Sequence, residues 1–116
     1  MKALSVREPY ATYIAKGIKI VENRSWKPPA KLINTPIALH RCACREPAII
    51  GIFKIIDILK PQEALQKFPS QKEHINNWDG VYCLVVEMIK TCEPIPIKGQ
   101  LRFWNVPEEI VRKLLT

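Results

Sequence analysis

The nine residues Val81–Ile89, VYCLVVEMI, are almost unbroken apolar and rich in β-branched and aromatic side chains. A run of this length and make-up predicts a buried strand near the middle of a sheet. The rest of the chain must then supply neighbours for it. Ala3–Val6, Ile37–Cys42 and Ala48–Leu59 read as further strands, and Gly51 inside the last marks a bulge or a close backbone approach. Between the first two strands, REPYATYIAKG reads as a helix. Pro9 suits its first turn, Glu8 favours its positive end, and Gly17 is the natural stop.

Pro28, Pro29 and Pro36 make the following segment a loop. Residues 61–68 and 70–77 are predicted as two short helices, the second opened by the capping-box pattern Ser70-Gln71-Lys72-Glu73. Pro94 and Pro96 predict a sheet edge, and Lys98-Gly99 a turn. A final amphipathic helix begins at Pro107, with Ile110, Val111, Leu114 and Leu115 on one face. With 116 residues the chain suffices for one domain, residues 1–116. Five or six strands with short helices give an α+β fold, mostly β: a small barrel with flanking helices.

Lys and Arg exceed Asp and Glu by 18 to 11, a net charge of +7, which favours polyanionic partners, nucleic acid foremost. The longest apolar runs are interrupted by Lys54, Asp57 and Glu87, so no membrane span is expected. Ala3-Leu4-Ser5-Val6 is too short for a secretory h-region, and the expected location is intracellular, in the cytoplasm or nucleus. Four cysteines then read as free thiols. Cys42 and Cys44 would share a strand face with His40, but tetrahedral zinc needs a fourth ligand, and no metal site is expected.

The stretch GIKIVENRSW, residues 17–26, breaks the strand pattern. In an extended chain Ile18, Ile20, Glu22, Arg24 and Trp26 point the same way, so a core-facing stripe turns charged halfway. A buried carboxylate and guanidinium must pair or line a cavity, because an unpaired buried charge costs several kcal/mol. Lys19, just after Gly17, could swing over the same place. The pair is therefore either a strut that fixes register or part of a cleft. An Arg fork with a Lys suits phosphate, and a carboxylate suits a base amine or a ribose hydroxyl.

The segment GIKIVENR carries the pattern GxKxxExR and resembles the signature of the ASCH domain family. LSVREPYATYIAKG is similar to the family's opening, IALHRC to its second strand block, and PIPIKGQLRFW to its closing segment. The resemblance implies a PUA-like β-barrel with a cleft beside it, and association with RNA or DNA. Some family members are amidohydrolases of N4-acetylcytidine that use a Lys, a Thr and a Glu, and ribonuclease activity is also associated with the family. By position that Lys falls on Lys19 and the Thr on Glu22, so the nucleophile is missing; Glu87 is the one candidate for the Glu. The opening also departs from the family's Gln and Trp, with Glu8 and Tyr10 in their places. Glu8 would weaken phosphate binding, whereas Tyr10 keeps an aromatic plane for a base or for the core.

The expected ligand-binding residues are thus Arg7, Tyr10, Lys19, Glu22, Arg24, Trp26, His40 and Lys98. The candidates for acid–base work are Lys19, Glu22, His40 and Tyr13. A histidine on an apolar strand is more often a hydrogen-bonded core or rim residue than a catalyst, and Trp26 and Trp104 more often pack than stack. Lys60, Lys67, Lys72 and Lys113 read as solvated surface. The expected function is binding of RNA or another single strand. Hydrolysis of a modified nucleoside or of RNA is the alternative, and an acidic protein partner a third. No cofactor is implied.

Overall fold

A computed structural model describes residues 1–116. Six strands form one mixed sheet: β1 (Lys2–Arg7), β2 (Val21–Arg24), β3 (Ile37–Cys42), β4 (Ala48–Leu59), β5 (Tyr82–Pro96) and β6 (Phe103–Asn105). Their spatial order is β2-β5-β4-β3-β1-β6, curled into a half-barrel. Only β1 and β3 run parallel, with Ala3 opposite Ala38 and Ser5 opposite His40. Three helices flank the sheet: α1 (Tyr10–Ala15), α2 (Pro61–Lys67) and α3 (Glu108–Leu114).

Alternation along the strands sorts side chains into two faces. Leu4, Val6, Leu39, Phe53, Ile55 and Leu84 form the inner core, closed on one side by Ala11 and Ile14 of α1. On the outer face Ala3, Ala38, Ile49 and Ile52 meet Trp104 and the α3 residues Ile110 and Leu114. Leu115 is instead exposed, because the buried stripe of α3 is narrower than its sequence predicts. A third cluster joins Val21 and Cys83 to Ala64 of α2 and to Ile75.

β4 is the strand around which the sheet bends. Its register with β5 shifts at three places, between Ile49 and Gly51, Ile52 and Phe53, and Ile55 and Asp57. Each irregularity bends the strand and increases its local twist. β5 begins near the predicted position but extends to Pro96, and it lies second from the sheet edge, not at the centre. Beyond Val86 it pairs only with β4, and that free side accommodates Pro94 and Pro96, which lack an N–H to donate.

Two other predictions are corrected. The regular strand begins at Val21, not Ile18: the Ile18 and Lys19 amides both donate to the Tyr13 carbonyl (2.9 and 3.1 Å), so this segment still wraps the end of α1. Ile18 is consequently exposed, and Ile20 packs in the third cluster, away from Glu22. The predicted helix over 70–77 is a 3-10 helix at Pro69–His74 without a side-chain cap. A Glu does cap α2, where Glu63 Oε1 accepts from the Lys60 amide at 3.0 Å.

Gly51 is required by a close approach. A Cβ there would lie 2.5 Å from the Lys90 carbonyl oxygen and 2.9 Å from the Met88 methyl. Backbone cannot yield as a flexible side chain can, so Gly51→Ala should force β4 away from β5. A loss of about 1–3 kcal/mol in urea unfolding is expected.

Candidate functional site

Glu22 is the hub of the charged strand. Its Oε1 lies 3.2 Å from Lys19 Nζ and its Oε2 2.9 Å from Arg24 Nη2. The register of β2 on β5 aims this face inward, with Glu22 opposite Leu84 and Arg24 opposite Tyr82. Lys19 is only 3% exposed and also donates to the Val21 carbonyl. It is a fixed cation beneath the cleft, not the swinging arm predicted. Burial pushes its pKa below the ordinary 10.5, with the Glu22 carboxylate partly opposing that shift. Its ammonium sits 5.8 Å from the centroid of the Tyr10 ring.

Arg24 has a second partner: Nη2 donates to the Ser5 carbonyl at 2.8 Å. β2 and β1 are not neighbours in the sheet, so this bond stitches the two sides of the half-barrel together. Trp26 continues the seam, edge-on to Phe103 at 5.4 Å, with the Arg102 guanidinium 5.3 Å from its ring.

A cleft of about 270 Å³ opens over the hub, lined by Arg7, Tyr10, Lys19, Glu22, Asn23, Glu73, His74 and Asn76. Four of these, Asn23, Glu73, His74 and Asn76, were not among the expected site residues. Asn23 fixes the opposite wall: its side chain donates to the His74 carbonyl (2.8 Å) and accepts from the Asn76 amide (3.0 Å). Gln71 fixes the same segment by bonding to the backbone of Ile18 and Ile20. Asn23 and Gln71 look like ordinary surface polar residues in the sequence, and no local pattern marks partners some fifty positions away.

The remaining expected residues are dispersed. Tyr13 lies behind the cleft, its ring 6.3 Å from both Tyr10 and His74. Glu8 is occupied at the start of α1, accepting from the Thr12 amide (2.8 Å) and hydroxyl (2.6 Å). Glu87 is exposed opposite Lys54, outside the cleft. His40 is fully buried, with Nδ1 2.9 Å from Ser5 Oγ and Nε2 2.7 Å from the Ile97 carbonyl. Burial also lowers its pKa. Lys98 and Arg24 border a second hollow that shares Arg7 with the cleft. The four cysteines are free, and no three His, Cys, Asp or Glu side chains converge as metal ligands. No helix is long and apolar enough to cross a membrane.

The sequence model of the ASCH domain matches residues 4–90, three quarters of the chain. The chain belongs to the ASCH domain family. The match contains the whole Lys19–Glu22–Arg24 hub and ends before the Lys98-Gly99 segment. Among solved structures, ASCH from Zymomonas mobilis is similar at 16% identity, with a TM-score of 0.73 over 98% of this chain and 92% of that one. A mutant of the same protein gives 14% identity and a TM-score of 0.73, covering 98% and 95%. At these identities the likeness establishes the ASCH fold along nearly the full length. No curated protein matches the chain in sequence.

The hub is both a strut and a wall of the cleft. Glu22→Ala would leave two cations packed without their counter-charge, and a loss of about 3–5 kcal/mol in chemical unfolding is expected. Lys19 gives a pH signature. Because its pKa is depressed on folding, the unfolded chain binds that proton more tightly. Stability should therefore rise as pH climbs from the depressed value toward 10.5, and the Lys19 contribution should be flat below it. Urea unfolding from neutrality to pH 10.5 should show wild type gaining on Lys19→Met, other titrations cancelling in the difference.

Proposed function

We propose that this ASCH domain binds single-stranded nucleic acid, RNA foremost, by taking a base into the cleft over Lys19 and Glu22. The observation that carries the reading is the composition of that cleft. Cations at Arg7 and Lys19 stand beside acceptors at Glu22 and Glu73, with amide groups at Asn23 and Asn76. Such mixed donors and acceptors suit the hydrogen-bonding edge of a base better than a bare phosphate. Tyr10, 46% exposed at the rim, offers a ring for stacking. The net charge of +7 supplies the long-range attraction. Membership of a PUA-like family often associated with RNA agrees with this reading.

The hydrolytic alternative has less support. The position of the amidohydrolase threonine carries Glu22, a carboxylate where that chemistry needs a hydroxyl. Tyr10 supplies the one side-chain hydroxyl in the cleft lining. A phenol is a weak nucleophile near neutrality unless a neighbouring base activates it.

Single-stranded RNA titrated at low and high salt should bind wild type with an affinity that falls as salt rises. Tyr10→Ala removes no core residue and no ion pair of the hub, only the ring 5.8 Å from the Lys19 ammonium. It should weaken binding by about 1–3 kcal/mol, the usual value of one base–aromatic stack. Absence of binding at low salt would sink the reading. RNA cleavage in the same mixtures, lost in Lys19→Met, would move the assignment to a ribonuclease.

A further inference from the structure

The second hollow, about 490 Å³, lies beside the cleft and differs from it in charge. Arg7, Arg24, Lys98 and Arg102 line it, and no Asp or Glu does. Arg24 shares the Glu22 carboxylate with Lys19, but Arg7, Lys98 and Arg102 have no carboxylate within salt-bridge distance. A concave surface with cations of one sign concentrates anions, and guanidinium forks match phosphate oxygens. Arg7 belongs to both cavities, so a ligand that filled them together would pass over it.

The loop that supplies Lys98 and Arg102 is held in place from below. A carbonyl can only accept, so His40 Nε2–H donates to the Ile97 oxygen at 2.7 Å. Nδ1 is then the acceptor for the Ser5 hydroxyl at 2.9 Å, while Trp104 Nε1 donates to Ser5 Oγ at 3.1 Å. Gly99 lies directly on this network: a Cβ there would be 2.5 Å from Ser5 Oγ and 2.6 Å from His40 Cε1. Arg102 is steadied over Trp26. The buried histidine thus fixes a surface loop, and the loop's cations need little ordering when an anion arrives. Leu101, 91% exposed between Gln100 and Arg102, stands at the rim as an apolar contact for a sugar or base.

We infer that the hollow seats a backbone phosphate of the same strand whose base enters the Lys19 cleft, so that the ligand is a polynucleotide and not a free nucleoside. This rests on the proposed reading of the cleft, and the experiment separates the two. An eight-nucleotide single-stranded RNA and an abasic octamer are titrated into wild type, Tyr10→Ala and the double variant Lys98→Gln/Arg102→Gln. All three replaced side chains are exposed, and circular dichroism confirms the fold.

The double variant should bind both octamers about tenfold more weakly, with a log–log salt slope smaller by about one. Tyr10→Ala should weaken the RNA octamer alone. Inorganic phosphate at millimolar concentration should compete poorly, since it reaches only one of the two cavities. Unchanged octamer affinity and salt slope in the double variant would overturn the phosphate seat while leaving the base cleft standing. Efficient competition by phosphate would also overturn it, by assigning the hollow to a free anion. No octamer binding to wild type at low salt would remove both readings and favour an acidic protein partner.

Discussion

The site is organised by one buried carboxylate shared between two cations. Glu22 offers Oε1 to Lys19 and Oε2 to Arg24, and each partner is itself tied to backbone elsewhere. Lys19 belongs to the wrap that follows α1, through its amide bond to the Tyr13 carbonyl. Arg24 reaches the Ser5 carbonyl on β1. Thus Glu22 links the end of the helix, the edge strand β2 and the far side of the half-barrel. Burial makes each charge costly, and mutual pairing is what makes the arrangement tolerable. The same desolvation depresses the Lys19 pKa, so structural and electrostatic consequences have one cause.

From this hub the surface divides by charge. On one side acceptors and amides balance the cations, and the walls come from α1, β2 and the 73–76 segment. On the other, Arg7 of β1 and the cations of the 98–102 loop stand beside Arg24, and no carboxylate lines the hollow. The first composition can discriminate ligands by hydrogen-bond pattern, whereas the second attracts any accessible phosphate. A polynucleotide presents both kinds of group at short, regular spacing. In the proposed reading, specificity and electrostatic affinity fall to adjoining cavities that meet at Arg7.

Much of the fold is legible because it depends on local periodicity. Leu4 and Val6 alternate with Ala3 and Ser5, and both the inner core and the α3-covered face follow from that alternation. Gly51 was readable as a bulge or a close approach, and both occur there. The site was legible only where one short segment carries it. The spacing of Lys19, Glu22 and Arg24 drew attention to charges that could not lie unpaired in a core. The assumption of a regular strand from Ile18 nevertheless misassigned Ile18 and Ile20, because the chain is still wrapping α1 until Ile20. Asn23 with Asn76, and His40 with Gly99, are partnerships across 53 and 59 positions. Nothing in the local pattern around either residue encodes them.

The two cations of the hub are not interchangeable, and the geometry says why. Lys19 is enclosed, with a carboxylate oxygen and the Val21 carbonyl as its partners, and a compact ammonium on a flexible stem can meet both in a small space. Arg24 must reach from β2 to a strand that is not its neighbour while keeping its contact with Glu22. One guanidinium nitrogen serves both the Glu22 oxygen at 2.9 Å and the Ser5 oxygen at 2.8 Å, and the planar fork fixes its direction. A lysine at this position would keep the charge but lose the fixed direction of the donor. The ordering Lys, Glu, Arg along the segment therefore follows from where the chain is: an enclosed helix exit first, an open seam last, and the carboxylate between them.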